Sequence, residues 1–218
     1  MTIADFSLKM DLRLNKSANN EYDAIWSDVK EEVANKALLD WVRRQIRGKN
    51  QTQEGDEETT ARVDDLQILL KSEILNVTKK DGFFETEKIP DDYLYYKRLT
   101  PTVKKGECPS LEIKSYFSEE ANVDDNTSIQ PSFEFEETFH TMINNKFRVY
   151  FNDFNIEKVK LIYYRRPKKL NFNKLNDIIE FKDDVCEMII DEAVKIKASD
   201  IESLNQKNLA QERVETNN

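Results

Sequence analysis

The sequence predicts an α+β fold: a discontinuous helical bundle, built from residues 1–78 and 181–210, that receives an inserted antiparallel β-rich domain over residues 79–180. Three observations predict it. Apolar residues follow the 3.6-residue helical period through the N-terminal part. After Asp81-Gly82 that period gives way to short alternating runs rich in aromatic and β-branched residues, and at Phe181 it returns. Three N-terminal helices leave the widest apolar stripe partly uncovered, so the C-terminal helix is the natural fourth wall.

Within residues 1–16 a first amphipathic helix ends near Asn15, with Ile3, Phe6, Met10 and Leu14 at spacings of three and four and Leu8 and Leu12 beside them. A turn at Lys16–Asn20 leads into the central helix, Asn20 to Gly48, which carries both tryptophans. Trp26, Val29, Val33, Ala37 and Trp41 fall within about a third of its circumference, and Ile25, Ala34, Leu38 and Val42 widen that stripe. Trp26, Val33 and Trp41 are the predicted core anchors. Asn20 caps the start, and Arg43, Arg44 and Arg47 suit the negative end of the helix dipole.

Lys49 to Glu58 is polar throughout and reads as a solvated loop. Val63, Leu66, Leu70, Ile74 and Val77 then predict a third helix, capped by Thr59 or Thr60 with Asp64 and Asp65 in its first turn. The predicted strands are Tyr93–Leu99, Leu111–Phe117, Ser132–Phe135, Phe147–Phe151 and Lys158–Arg165, with a short one near Phe83. In the last, Val159, Leu161 and Tyr163 point one way and Lys158, Lys160 and Ile162 the other, the alternation of a half-buried strand. The prolines fall in turns or at strand ends. From Phe181, Val185, Ile189, Ala193 and Ile196 line one helical face, with Cys186, Ile190 and Val194 beside it. Ser199-Asp-Ile-Glu202 is a capping-box pattern that opens a C-terminal arm, residues 199–218.

In 218 residues, 39% apolar and 10% aromatic composition supplies a real core and excludes disorder throughout. A formal charge of −9 argues against a protein that wraps nucleic acid, because such binding is mostly Lys and Arg neutralising phosphates. Cys108 and Cys186 are isolated, so neither a disulfide framework nor a zinc site is signalled, and a reducing interior is expected. With no signal-peptide pattern and no apolar run near the ~20 residues that span a bilayer, the expectation is a soluble, unsecreted protein away from membranes.

No cofactor signature is present. The four glycines never approach one another, which removes the phosphate-cradling loops of Rossmann and P-loop enzymes. His140 is the sole histidine, so no multi-histidine metal site can form, and it reads as an ordinary strand or loop residue. One catalytic pattern matches formally: Pro90-Asp91 followed by Glu112-Ile113-Lys114, the spacing of a PD…ExK metal-dependent nuclease in which two carboxylates hold Mg²⁺. The same residues serve equally as a turn and the solvent side of a strand. The densest basic run, Arg165-Arg166-Pro167-Lys168-Lys169, is a candidate subunit or DNA contact, with an acidic protein partner or solvent favoured by the acidity of the whole chain.

Several stretches resemble a known family when taken in order. They are Arg13-Leu14-Asn15-Lys16, Leu39-Asp40-Trp41-Val42-Arg43-Arg44-Gln45, Val63-Asp64-Asp65-Leu66-Gln67-Ile68-Leu69-Leu70, Ile89-Pro90-Asp91-Asp92-Tyr93 and Val159 to Pro167. The ensemble resembles the head-to-tail connector, or adaptor ring, proteins of short-tailed phages, most closely those of crAss-like phages. The resemblance implies a non-enzymatic structural virion protein that forms a ring of twelve copies under the portal, continues the DNA channel without sequence-specific binding and meets further tail or ring proteins. It places the protein at the portal and tail junction of the virion, and in the host cytoplasm during assembly. It also implies that the arm from Ser199 is the portal-docking element, with Ile201, Leu204 and Leu209 as its apolar contacts. Between a structural ring subunit and a PD…ExK-like phage nuclease, the sequence favours the first.

Overall fold

The fold is described from a computed structural model that places residues 1–17, 26–47, 64–118 and 130–198. It is mixed α/β and divides into two compact units. One joins residues 1–68 to 167–218, and the other is Leu69–Arg166.

The first unit is helical. Helix α1, Ile3–Ser17, opens on a reciprocal cap in which the Thr2 hydroxyl accepts from the Asp5 amide (3.1 Å) and donates to the Asp5 carboxylate (2.6 Å). Its Ile3, Phe6, Met10 and Leu14 are buried, while Leu8 and Leu12 face outward. Helix α2, Ser27–Arg47, buries Lys30, Val33, Ala34, Ala37, Leu38, Trp41 and Val42, a stripe wide enough to need two neighbours. They are α1 and the helix over residues 183–198, here α3, which buries Val185, Cys186, Ile189, Ile190, Ala193 and Val194. Ion pairs tie the three together: Lys30 to Asp11 (2.6 Å), Arg44 to Glu192 (2.9 Å), and Lys9 and Arg13 to Glu187. Trp41 meets Phe181 edge to face at 5.7 Å between centroids.

Two sequence expectations are corrected in this unit. Trp26 is not a core anchor. It is 82% exposed, because α2 starts at Ser27 and Trp26 stands at the cap position, its carbonyl accepting from the Lys30 amide. The predicted third helix lasts only through residues 64–66 and a 3₁₀ turn, Gln67–Leu69. Beyond it the chain is strand, since cross-strand pairing of residues 70–75 overrides their helical spacing. Leu66, Leu69 and Leu75 are buried, whereas Leu70 and Ile74, which the helical period placed inside, are exposed.

The second unit is a nearly closed set of strands: β1 (Leu70–Leu75), β2 (Val77–Lys79), β3 (Phe83–Thr86), β4 (Tyr93–Lys104), β5 (Leu111–Glu112), β6 (Lys114–Phe117), β7 (Glu137–Ile143), β8 (Lys146–Tyr150) and β9 (Asn155–Arg165). One sheet has the order β1-β9-β4-β5 and the other β2-β3-β8-β7-β6. β1 and β2 are one stretch of chain bent at Asn76, and β5 and β6 another bent at Ile113, so the same two stretches supply the edges of both sheets. The sheets enclose one core around Leu99, Val103, Phe147, Val149, Val159, Leu161 and Tyr163.

Pairing is antiparallel as expected except at β6–β7, which is parallel. Ser132–Phe135, predicted as a strand, is mostly a tight turn before β7, with Glu136 at φ 57. Both boundaries of the insertion shift toward the N-terminus, from 79–180 to Leu69–Arg166, for physical reasons at each end. β1 and β2 pair with β9 and β3 and so belong to the sheets. Residues 167–182 belong to the helices: the Asn35 amide side chain exchanges two hydrogen bonds with the Leu170 backbone (2.8 and 2.9 Å), the Phe172 amide donates to Glu31, and Leu170, Phe172, Ile179 and Phe181 are buried.

The predicted cap at Asn20, Ile25 of the stripe, the polar loop 49–58, the caps Thr59 and Thr60, and the arm with Ile201, Leu204 and Leu209 lie outside the described residues.

Candidate functional site

The formal nuclease pair is not brought together. Asp91 is an exposed residue of the turn that precedes β4, and Glu112 stands opposite Thr102 near the other end of that strand. Nine residues of strand at ~3.3 Å each put them on the order of 25–30 Å apart, whereas two carboxylates on one Mg²⁺ must both reach ~2 Å from it. Glu112 and Lys114 are exposed, on either side of the buried Ile113 corner. Among the described residues no group of three or more His, Cys, Asp or Glu is placed to hold a metal ion.

The neighbouring carboxylate, Asp92, is the one the fold uses. It accepts from the Tyr163 hydroxyl (2.8 Å) and from Lys71 (2.8 Å), and Glu73 shares both donors (3.2 and 3.3 Å). Its backbone carbonyl takes the Arg166 amide at 2.7 Å. The network fastens β1, β9 and the start of β4 at one end of the sheet. Burial alone would raise the Asp92 carboxyl, but the hydrogen bonds from Lys71 and Tyr163 outweigh it and hold it below its ordinary value. Burial, and then the acceptor Asp92, push the Tyr163 phenol upward, so it is a permanent donor.

His140 lies on β7, fully buried, with Nδ1 2.7 Å from the Ser115 hydroxyl and its ring against Tyr96, Phe117 and Phe147. Among the described residues Nε2 has no hydrogen-bond partner. Burial pushes its pKa down to about 4, which keeps the imidazole neutral. A serine and histidine at this distance resemble half a catalytic triad, but among the described residues no carboxylate orients the ring, which is buried from solvent.

The basic run is divided. Arg165 and Arg166 end the β unit and Lys168 and Lys169 open the return into the helical one. Arg165 donates to the Arg166 carbonyl (3.1 Å), the Lys168 amide donates to Glu180 (2.8 Å), and the ends of Lys168 and Lys169 are exposed.

A more regular cationic surface lies on the outer face of the β1-β9-β4-β5 sheet. Register sets Ser72, Ile162 and Arg98 in one row, Ile74, Lys160 and Thr100 in the next, then Lys158, Thr102 and Glu112. Lys97, at a bulge in β4, reaches over the Tyr164 ring at 5.7 Å. Alternation in Lys158–Arg165 had put two of these lysines on one side, but their neighbours from β4 and β1 follow only from register.

Among the described residues no helix is long and apolar enough to cross a membrane. Compared with known proteins, the chain matches no family model and no curated protein.

Proposed function

We propose that the protein is a structural subunit of a phage connector: an adaptor ring, of the kind found in crAss-like phages, that joins the portal to the tail and continues the DNA channel. The observation that carries this reading is the chain's organisation, in which the two ends of the sequence share one helical unit and a β unit is inserted between them. That is the plan the resemblance implies, with α1, α2 and α3 as the discontinuous bundle and the arm from Ser199 as the portal-docking element. Acidic composition suits a conduit, since a strongly basic wall would retain the genome. The partners on this reading are the portal protein, neighbouring copies in a ring of twelve, further tail proteins, and DNA in transit, at the portal and tail junction of the virion.

The test is co-expression with the portal protein of a crAss-like phage, followed by native mass measurement and electron microscopy. A closed ring of this chain on the portal is expected. Failure to bind the portal overturns the reading, as does Mg²⁺-dependent DNA cleavage that Asp91→Ala or Glu112→Ala abolishes.

A further inference from the structure

We propose that the outer face of the β1-β9-β4-β5 sheet and the turn around Phe135 are the two halves of a head-to-tail contact between copies of this chain. The first half is cationic in an acidic protein, with Glu112 at its β5 edge as the exception. Arg98, Lys158 and Lys160 have no ion-pair partner among the described residues, although other lysines of the same unit do: Lys71 with Asp92, Lys105 with Glu134, Lys146 with Glu85. Beside these three cations the face exposes apolar surface, Ile74 at 59% and Leu70 at 40%. Thr100 and Thr102, in the same rows, are buried. The stems of long basic side chains cover such hydroxyls while their charged heads stay outward.

The second half has the opposite character. Phe135 is 81% exposed, the apolar tip of a turn flanked by the exposed carboxylates Glu134 and Glu136. A lone exposed phenylalanine on a flexible loop would carry little information, but this turn is held fast. Ser132 and Glu137 exchange backbone hydrogen bonds (2.9 and 3.1 Å), the Ser132 hydroxyl accepts from the Phe135 amide (3.3 Å), and Lys105 ties Glu134 (2.5 Å) and Asp153 together. The backbone that carries the ring is therefore presented with its ordering cost already met by the fold.

Charge and apolarity match together: a phenylalanine between carboxylates fits an isoleucine and leucine on an edge strand beside cations. A phosphate backbone would use the cations but would leave Ile74 and Leu70 facing a polar strand, so a second copy is the better occupant. The two halves are different surfaces of one unit, so the contact is heterologous and propagates from copy to copy in one direction, closing into a ring or continuing as a filament. For closure into a ring, this inference rests on the adaptor reading above.

The experiment uses the full chain in sedimentation and native mass measurements, with variants whose folding is checked by circular dichroism. Association of the wild type is expected, weakened roughly tenfold or more by Lys160→Glu, by Glu136→Lys and by Phe135→Ser, and recovered when Lys160→Glu and Glu136→Lys are combined. Phe135→Ser keeps the test decisive if the charge variants unfold. A wild type that stays monomeric up to its solubility limit, single variants that associate normally, or a double variant that does not recover would each overturn the proposal. So would Lys160→Glu abolishing DNA retention while self-association is untouched. Open filaments that obey the charge swap would remove the ring and keep this contact. Rings on the portal that ignore every variant would do the reverse.

Discussion

Because His140 is the only histidine, its titration can be followed without overlap, and its burial makes a quantitative prediction. The imidazole pKa falls from an ordinary 6.5 to about 4 in the folded protein, with burial as the cause. A base whose folded pKa is lowered binds more protons unfolded than folded, so the fold loses stability as pH drops through 6.5 and stops losing it below the folded value. At ~1.4 kcal/mol per pKa unit the complete loss is about 3 kcal/mol, and between about pH 8 and about pH 5 it is about 2 kcal/mol. The carboxylates held low in the fold, Asp92, Glu85 and Glu187, begin to lose their contributions only near or below their ordinary values of 3.8 and 4.5, beneath most of this window. Urea unfolding across that range should therefore show the slope in wild type and lose it in His140→Gln, whose amide oxygen can still accept from Ser115. Both tryptophans lie in the helical unit and His140 in the β unit, so protection of β-sheet amides, and not tryptophan fluorescence, is the primary readout. A nuclear magnetic resonance titration of the single imidazole needs no variant. An inflection near pH 6.5 in the folded protein would refute the burial of His140 and the prediction with it.

Four further outcomes are expected. Trp41→Ala should cost about 3–5 kcal/mol in urea unfolding, because it empties a buried site against Phe181, whereas Trp41→Phe, which also removes an indole N–H with no partner among the described residues, should cost clearly less. Tyr163→Phe should cost about 1–3 kcal/mol by deleting the hydroxyl that two carboxylates share. Of the two thiols, Cys108 should react with an alkylating reagent in the native protein and Cys186, buried and pushed up to about 11 by burial, only on unfolding. Removing residues 199–218 should leave a folded chain that no longer joins portal-containing particles, and normal incorporation of the truncated chain would sink the docking role of Ile201, Leu204 and Leu209.

Where burial is continuous along a helix, the sequence was a reliable guide. Ile3, Phe6, Met10 and Leu14, and then Val33, Ala37 and Trp41, repeat at three and four and all face inward. The same rule failed at its ends. Trp26 is in phase with Val33 but precedes the first helical residue, and period says nothing about where a helix begins. Residues 70–75 satisfy the period and still form a strand, because β9 offers six consecutive partners and a short apolar run fits either structure. Glu137–Ile143 escaped notice for a related reason. Its inward positions Thr138 and His140 are polar, so alternation of polarity, the signal of a half-buried strand, is absent.

Register explains why the candidate surfaces were only half legible. Local spacing brought Asp91, Glu112 and Lys114 together on paper, and β4 keeps the two carboxylates at opposite ends of a long strand. The converse holds for Arg98: it lies far from Lys158 and Lys160 in sequence, and the β4–β9 ladder sets it opposite Ile162, two residues from Lys160 on the same face. At such a diagonal spacing, ~7–8 Å, cations repel modestly in water. Among the described residues Arg98, Lys158 and Lys160 have no ion-pair partner, and on the head-to-tail proposal the carboxylates of a second copy offset that repulsion. The acidic character of the whole molecule makes the same point from the other side, because most surfaces of a second copy would attract this face, and the turn around Phe135 adds an exposed aromatic ring to its carboxylates.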